Sequence, residues 1–439
     1  MRLRKTILTA ALGALATGLA AGAAGAYELV LPSLDYRTGA YAPSGIPYAN
    51  GMADYYTMLN ERDGGINGVK IKIVPCETAY NTQQGVECYE KTKGTAPSGA
   101  LMYQPLSTGI TYQLIPKASA DQIPIHSMGY GRTSAADGRI FKWIFNFPAT
   151  YWSQASVFVK YIGEKEGGMD KLKGKKIYLL YHNSAYGKEP IRTLEELSKK
   201  HGFKFVSIAV DHPGQEQKSQ WLRIRSEKPD WLLLWGWGVM NQVSIKEAVS
   251  IRFKMDRMIG VWWSGSENDV KPAGAGAKGY LSGMFHGVGA KWKAHQDIIK
   301  FVYDRGKAVD PSFKPRIGEV LYNRGLVAAM WTAEAIRKAM EIHKTKEVKA
   351  THVRDGFEAL AVDAKRLEEL GLKDFTYPIK ITCANHEGPG LVALQQWDGK
   401  GFKQVSKYYE PDRDVVGKLI KEDAEKYAKE AKITPRDCK

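Results

Sequence analysis

The sequence lacks the short motifs by which many enzymes and metal proteins are recognised. It contains no GxSxG, HExxH, GxxxxGK[ST] or CxxC pattern, and its nine histidines include no i, i+4 pair. The one GxGxxG match, residues 274–279, follows Lys271-Pro272 instead of a strand, so we interpret it as a crossover loop and not as a dinucleotide site. The sequence therefore favours a binding protein over an enzyme and predicts neither cofactor nor metal.

Long apolar runs are also missing beyond the first residues of the chain. Residues 1–26 combine a basic start, an Ala/Leu/Gly stretch and a small-residue ending, Ala24-Gly25-Ala26. This pattern is typical of a cleaved export signal, and Ala and Gly gain too little from lipid to favour a membrane anchor. We expect the mature chain to begin at Tyr27 and to lie in an oxidising compartment, most simply a bacterial periplasm.

Cysteine is scarce, with four residues in 439. In an exported chain an even count favours disulfides, and four cysteines allow three pairings. Cys76 ends an apolar run and Cys88 follows within a helix-like stretch, while Cys383 lies near a late strand and Cys438 near the C-terminus. We expect Cys76–Cys88 and Cys383–Cys438; metal ligation is the alternative, which no ligand spacing supports.

Positive charge exceeds negative charge, giving a formal net charge of +16. The Lys and Arg residues are spread along the chain without a long basic block, and an exported protein does not routinely meet nucleic acid. We therefore expect a solvated basic surface and no nucleic-acid partner. A smaller role for the charge would be to steer an anionic ligand or to dock on an acidic partner.

Short β-type runs alternate with helical stretches from Tyr27 to about residue 285. This alternation predicts βαβ units and parallel sheets, and an interruption near Phe147 favours two doubly wound lobes over one barrel. Among the predicted elements are a helix at Gly187–His201 and strands at Ala100–Tyr103, Trp231–Trp235 and Met258–Trp263. Later in the chain, Thr376–Cys383 and Leu391–Trp397 are expected to form a hairpin.

Polar and aromatic residues cluster where predicted strands end, which is where open parallel sheets bind ligands. Ser107-Thr108 opens a helix, and hydroxyls with free amides at a helix N-terminus suit a carboxylate, although plain N-capping is an alternative role. Four tryptophans follow two strands in the second half of the chain, in Trp235-Gly-Trp237 and Trp262-Trp263. We expect at least one of them to stack on a ligand.

Several loosely spaced motifs occur in one order along the whole chain. They are Thr38-Gly39-Ala40-Tyr41, residues 60–68 (NERDGGING), Leu106-Ser-Thr-Gly109, Tyr186-Gly187, residues 228–231 (KPDW) and residues 322–329 (YNRGLVAA). In this order they resemble the branched-chain amino-acid-binding family, the type I periplasmic substrate-binding proteins of ABC importers.

The resemblance implies an α/β fold of two lobes joined by a three-strand hinge, with a ligand enclosed as the lobes close. We place the crossovers near Phe147, Phe285 and Thr376. The expected divisions are residues 1–26 for the signal, 27–147 plus 285–375 for lobe 1, 148–284 plus 376–400 for lobe 2, and 401–439 for a C-terminal helix and tail.

The resemblance also implies a site in which the first lobe holds an amino acid's carboxylate. The second lobe then supplies an aromatic side chain and an acid that faces the ammonium, here Trp237 and Glu267. The full set of candidate ligand-binding residues is Ser107, Thr108, Ser127, Met128, Gly129, Tyr130, Tyr151, Tyr186, Trp235, Trp237, Ser264 and Glu267.

The sequence departs from the family pattern in two respects. The first-lobe loop lacks a run of several Ser and Thr, and the cleft is richer in Trp and Tyr than one shaped for leucine. An aromatic acid therefore competes with a hydrophobic amino acid as the expected ligand. We expect a monomer that delivers its ligand to a membrane permease; an exported enzyme on the same fold and a ligand-sensing domain are the alternatives.

Overall fold

The computed structural model describes residues 27–438, so the predicted export signal lies outside the described residues. The amino-terminal part of the described chain alternates strands and helices. In order, these are β1 (Leu29–Asp35), α1 (Ala42–Asp63), β2 (Ile71–Glu77), α2 (Thr82–Thr92), α3 (Thr108–Asp121), β3 (Ile125–His126) and β4 (Ile144–Phe145).

The same alternation continues through the middle of the chain. Its elements are α4 (Tyr151–Glu166), β5 (Lys176–His182), α5 (Ala185–Lys188), α6 (Ile191–His201), β6 (Lys204–Val210), α7 (Lys218–Glu227), β7 (Trp231–Trp235), α8 (Val239–Ser250), β8 (Met258–Gly260), α9 (Glu267–Val270) and β9 (Leu281–Met284).

The remaining third is mainly helical. Its elements are α10 (Lys293–Ile298), α11 (Val320–His343), α12 (Ala350–Glu358), β10 (Ala361–Val362), α13 (Ala364–Glu369), β11 (Ile379–Lys380), β12 (Ala393–Trp397), β13 (Phe402–Gln404) and α14 (Arg413–Glu430). Between residues 27 and 438, no helix is long and apolar enough to cross a membrane.

The first sheet region is parallel and lies near the amino terminus. β1 pairs with β2 in parallel, and β3 pairs with β4 in parallel. Between the two pairs the chain passes through residues 101–103, where the Leu101 amide donates to Val30 O and Tyr103 forms a parallel bridge with Ile125. We call β1–β4 with α1–α3 the first lobe; the predicted strand at Ala100–Tyr103 is reduced there to these contacts.

The second sheet has seven strands in the order β13-β12-β9-β8-β7-β5-β6. β6, β5, β7, β8 and β9 are parallel, and β12 and β13 add an antiparallel edge. β7 reads Trp-Leu-Leu-Leu-Trp and is wholly buried, as expected for a strand covered by helices on both faces. We call this sheet and its helices the second lobe; it extends to Gln404.

The chain passes between the two lobes at three neighbouring segments. The first is at Phe147-Pro148, between β4 and α4. The second and third lie side by side, because Thr376 Oγ1 donates to Phe285 O at 2.7 Å and the Gly287 amide donates to Phe375 O at 2.7 Å. The structure therefore has the predicted three-crossover hinge between two α/β lobes.

The long helix α11 packs on α1 at very close range. A Cβ on Gly51 would lie 2.0 Å from the Tyr322 carbonyl oxygen, and a Cβ on Gly325 would lie 2.0 Å from that of Tyr48. Only glycine allows the two backbones to approach in this way. The crossing returns the chain to the first lobe after β5–β9 of the second sheet and before its edge strands β12 and β13.

Three further predicted elements differ from the structure. The hairpin of Thr376–Cys383 with Leu391–Trp397 is wrong, because β11 pairs with β10 whereas β12 pairs with β9 and β13. The helix at Gly187–His201 is divided into α5 and α6 at Pro190, since proline has no amide to donate to the helix. The strand from Met258 stops at Gly260, and Trp262–Ser264 form a 3₁₀ turn.

Both expected disulfides are confirmed. Cys76–Cys88 joins the end of β2 to α2, with a Cα–Cα distance of 5.8 Å. Cys383–Cys438 fixes the C-terminal segment that follows α14, with a Cα–Cα distance of 5.5 Å. Within the described residues no cysteine is free.

The two disulfides should stabilise the fold unequally, because they close loops of different length. Cross-linking stabilises mainly by restricting the unfolded chain, by ~3 kcal/mol for a separation of 12 residues and by ~4 kcal/mol for one of 55. We expect the double substitution Cys383→Ala/Cys438→Ala to lower the free energy of unfolding more than Cys76→Ala/Cys88→Ala does. Urea denaturation measures both losses, and the reverse order would contradict this assignment.

Candidate functional site

A small cavity of about 230 Å³ lies between the two lobes, at the carboxyl ends of their parallel strands. This is the position at which open α/β sheets bind ligands. The nine lining residues are Tyr80, Leu106, Ser107, Thr108, Tyr130, Tyr151, Tyr186, Trp237 and Trp263. None of these nine is charged, and six of them are aromatic, so the cavity suits a small ligand with an apolar body.

The polar side of the cavity is the N-terminus of α3. Ser107 is the N-cap, and its hydroxyl accepts a hydrogen bond from the Ile110 amide at 3.3 Å. Thr108 begins the helix, and its hydroxyl oxygen accepts from the Gly131 amide at 3.2 Å. The Tyr151 phenol lies within hydrogen-bonding reach of the same hydroxyl. The helix dipole and the first helical amides favour an anion at this end of the cavity.

Two residues of the wall have left-handed backbone conformations. Leu106 has φ 47° and Tyr80 has φ 61°, and Ala79 beside Tyr80 has φ 47°. A residue other than glycine pays about 1–2 kcal/mol for this conformation. The Leu106 amide donates to the Tyr130 hydroxyl at 2.8 Å, which fixes this turn beside α3. Such strain is typical of loops that position a binding surface.

Tyrosine side chains form much of the remaining wall. Tyr151 and Tyr186 lie with ring centroids 5.4 Å apart, and the Tyr186 hydroxyl donates to Gly236 O at 2.8 Å. Burial raises the pKa of Tyr130, Tyr151 and Tyr186 far above that of free tyrosine. These phenols therefore stay neutral and act as hydrogen-bonding groups, not as bases.

Two perpendicular tryptophans close the other side. The rings of Trp237 and Trp263 have centroids 5.5 Å apart and planes at 83°, and both side chains are buried. Trp263 Nε1 donates across the cleft to Gly129 O at 3.4 Å, whereas Trp237 Nε1 has no hydrogen-bond partner. An unpartnered indole N–H beside a cavity is available to a polar atom of a ligand.

A buried cation lies directly behind Trp263. The Arg324 guanidinium is 5.0 Å from the Trp263 ring centroid and is fully buried, and burial lowers its pKa to about 9. Its Nε donates to His286 and its Nη1 to the Trp262 carbonyl, but Nη2 has no partner and no carboxylate of the described chain forms an ion pair with it. The Trp263 ring separates this positive charge from the cavity.

Direct contacts join the two lobes beside the cavity. The Tyr41 hydroxyl lies 2.8 Å from His182 Nε2 and 3.1 Å from His212 Nδ1. Burial, with the neighbouring His212, lowers the pKa of His182 to about 3, so that imidazole is neutral. The Val239 amide also reaches Ala40 O across the cleft, at 3.3 Å. The structure is therefore the closed form.

A buried carboxyl makes a further contact across the lobes. Glu189 of the second lobe accepts hydrogen bonds from the Tyr112 hydroxyl and, at 2.7 Å, from the Thr133 hydroxyl. No cation pairs with it among residues 27–438. Burial raises its pKa to about 7, although these hydrogen bonds lower it in part.

The structure gathers half of the candidate ligand-binding residues into one wall. Those lining the cavity are Ser107, Thr108, Tyr130, Tyr151, Tyr186 and Trp237, and those outside the lining are Ser127, Met128, Gly129, Trp235, Ser264 and Glu267. Gly129 still contacts the cavity wall, because its carbonyl accepts the hydrogen bond from Trp263 Nε1. A Cβ on it would lie 2.5 Å from the Trp262 ring, so the close approach of the two lobes there requires glycine.

Glu267 lies away from the position that the ammonium-binding role requires. Its Oε2 accepts a hydrogen bond from the Val320 amide at 3.0 Å, at the N-terminus of α11. Burial raises its pKa to about 7. Ser264 likewise bonds to the Gly236 backbone, and Trp235 is buried within β7. These three side chains stabilise the second lobe behind the cavity and do not line it.

The candidate set omits three residues of the cavity wall: Tyr80, Leu106 and Trp263. Trp263 belongs to the tryptophan pair that the strand-end argument had singled out as a possible ligand contact. Tyr80 follows β2, and Leu106 precedes the N-cap of α3. All three follow the strand-end rule, but their sequence neighbours carry no motif that marks them individually.

A profile of the periplasmic binding protein family matches residues 29–403. The chain belongs to the periplasmic binding protein family. No curated protein matches the chain significantly. One solved structure, described as an ABC transporter permease from the Pseudomonas fluorescens group, is 40% identical over 94% of this chain and 100% of its own, with a TM-score of 0.86.

More distant periplasmic binding proteins share the fold. A branched chain amino acid ABC transporter from Thermus thermophilus with bound valine is 20% identical over 90% of this chain and 99% of its own, with a TM-score of 0.75. A solute binding protein of an R. palustris ABC transporter in complex with benzoate is 16% identical over 88% of this chain and 97% of its own, with a TM-score of 0.65. Both structures thus share the fold of this chain, in agreement with its family.

The contact of Glu189 across the lobes should make stability depend on pH. Its folded-state pKa of about 7 lies above the ordinary value of 4.5, so the folded state binds the proton more tightly. This contribution is complete below about pH 4.5 and is lost as the pH rises through about 7. We expect Glu189→Gln to reduce the fall in melting temperature between about pH 5 and about pH 8.

The exposed Glu195 on α6 provides the matched control, since Glu195→Gln makes the same chemical change without a contact across the lobes. Thermal unfolding at both pH values, with saturating ligand so that the lobes are closed, gives the answer. Equal pH dependence in wild type and Glu189→Gln would contradict the role assigned to this carboxyl.

Proposed function

We propose that this periplasmic binding protein captures a small aromatic carboxylate between its lobes and delivers it to the membrane permease of an ABC importer. The observation that carries the proposal is the N-terminus of α3, with Ser107 and Thr108, facing a cavity whose other walls are neutral aromatic rings. The helix end suits the carboxylate, and the rings suit a flat apolar body.

The size of the cavity supports a small ligand. The closed lobes leave little room between them, about 230 Å³ including space open to solvent, so only a small ligand fits there. The few hydroxyl and indole N–H groups around the cavity are buried and fixed, so they set the orientation of the ligand, while the rings supply contact area. The buried Arg324 adds a positive charge behind Trp263, which favours a ligand that carries net negative charge.

A hydrophobic amino acid is the second candidate. No acidic side chain lines the cavity to pair with an ammonium group, and Glu267 is engaged with the Val320 amide instead. Aromatic ring faces do attract ammonium groups, and six rings surround the cavity. An amino acid would therefore rely on cation–π contacts, whereas an aromatic acid needs no such partner.

A thermal-shift panel of benzoate, 4-hydroxybenzoate, L-leucine and L-valine tests the proposal. A ligand at 100 times its Kd stabilises the protein by about 2.7 kcal/mol. We expect an aromatic acid to raise the melting temperature most. A shift with leucine or valine alone would favour the amino-acid function, and turnover of an added ester or sugar would favour an exported enzyme.

Thr108→Val should weaken binding of the carboxylate that gives the largest shift. The substitution removes the hydroxyl while keeping the volume, and a hydrogen bond to a charged group contributes about 1.5–3 kcal/mol. We expect the Kd, measured by titration calorimetry, to rise by roughly 10- to 150-fold.

Thr111→Val on the same helix is the control. Its hydroxyl also forms a hydrogen bond within the protein, to the Ser107 carbonyl at 2.8 Å, but it does not line the cavity. Unchanged affinity in Thr108→Val, or an equal loss in both variants, would contradict this carboxylate site.

A further inference from the structure

A second and larger concavity lies at the opposite end of the second lobe. This groove, of about 1,170 Å³, is lined by residues that directly precede three parallel strands: Lys175 before β5, residues 228–230 before β7, and Lys254 and Arg257 before β8. It is therefore at the amino ends of these strands, whereas the cavity between the lobes is at carboxyl ends. Neither the family nor the proposed function assigns it a role.

The groove is strongly basic. Six of its lining side chains are cationic (Lys175, Arg225, Lys228, Arg252, Lys254 and Arg257), and two are acidic (Glu166 and Asp230). Both acids have partners in the protein: Glu166 accepts from Lys175, Arg257 and the Trp231 indole, and Asp230 accepts from the Lys176 amide. Glu166 thus accounts for two of the six cations.

Four cations remain without partners. Arg225, Lys228, Arg252 and Lys254 form no ion pair and no side-chain hydrogen bond with any residue from 27 to 438, and all four are exposed. Isolated surface lysines are common, but four unpaired cations around one concavity concentrate positive potential at a single place.

Favourable interaction with helix dipoles accounts for only part of the positive charge of the groove. The C-termini of α7 and α8 reach this edge, and each carries a partial charge of about −0.5, which favours nearby cations. Together they supply about one negative charge. The lining carries six cations against two acids, so most of the excess is not balanced by the protein.

The floor of the groove is apolar. Ile224 is buried, and Ile251 and Phe253 are partly exposed among the cations. A purely inorganic ion would not use this surface. Guanidinium groups, of which the groove has three, match the geometry of phosphate oxygens better than an ammonium group does.

We propose that this groove binds a phosphate-bearing anion that also carries an apolar body, held by Arg225, Lys228, Arg252 and Lys254 above the floor of Ile224 and Phe253. Such an anion comes from one of two sources, a soluble organic phosphate or the headgroup region of an anionic phospholipid. The site is independent of the cavity between the lobes, so it does not depend on the carboxylate proposal.

Binding of three probes to the whole mature protein tests the proposal. ATP supplies phosphates with a ring, tripolyphosphate supplies phosphates alone, and vesicles of phosphatidylglycerol mixed with phosphatidylcholine supply the lipid form. The variant Arg252→Gln/Lys254→Gln removes two groove cations. Lys418→Gln/Lys421→Gln on the exposed face of α14 removes the same charge elsewhere and is the control.

We expect the groove variant to raise the Kd for ATP or for the mixed vesicles by roughly tenfold or more, and the control variant to change it less than about twofold. Tighter binding of ATP than of tripolyphosphate would support use of the apolar floor. If the groove variant raises the Kd for ATP, the ligand is a soluble phosphate. If it weakens binding of the vesicles alone, the ligand is a lipid.

Equal losses in the two variants would show that net charge, and not the groove, attracts the probes, and would overturn the proposal. Absence of binding to all three probes would overturn it as well. Thermal unfolding of both variants and their response to the carboxylate panel check that the fold and the cavity between the lobes are intact.

Discussion

The three neighbouring crossovers at Phe147, Phe285 and Thr376 are the constraint on which the rest of the structure depends. They hold the carboxyl edges of two parallel sheets opposite each other, and the bonds between residues 285–287 and 375–376 keep two of them side by side. The Tyr377 hydroxyl lies 3.1 Å from the Pro148 carbonyl, which brings the first crossover into the same bundle. We therefore expect the lobes to move by rotation about this bundle.

The closed arrangement rests on contacts that are mostly polar or aromatic. Tyr41 with two histidines, Glu189 with two hydroxyls, and Trp263 with Gly129 all link the lobes directly. Outside the cleft, the segment of α14 bonds to both lobes, through Asp423 to Arg132 and through Asp412 to Lys200. Each such contact contributes about 0.5–1.5 kcal/mol net, so we expect a ligand that fills the cavity to shift the balance toward the closed form.

Much of the fold could be predicted from sequence because alternating strand and helix patterns are local. β7 coincides with its predicted bounds, Trp231–Trp235, and Thr108 and Trp237, which the strand-end rule singled out, line the cavity. Pairing between distant strands was less accessible: a hairpin was expected at residues 376–397, yet β12 pairs with β9, more than 100 residues earlier in the chain. Periodicity predicts a strand but does not specify its partner.

Individual side-chain roles were the least predictable part of the site. Glu267 was expected to face an ammonium group, but its carboxylate accepts from the Val320 amide, which belongs to a distant helix. Tyr80 and Leu106 enter the cavity wall through left-handed backbone conformations, which no sequence pattern announces in residues other than glycine. Tertiary contacts of this kind become visible only when both lobes are assembled.

Small-angle scattering with and without ligand tests the central claim most directly, because enclosure of the ligand by two lobes requires them to close around it. With the carboxylate that gives the largest thermal shift, the account predicts a smaller radius of gyration at saturation than in the free protein. An unchanged scattering profile, under conditions where calorimetry shows the site to be full, would contradict it.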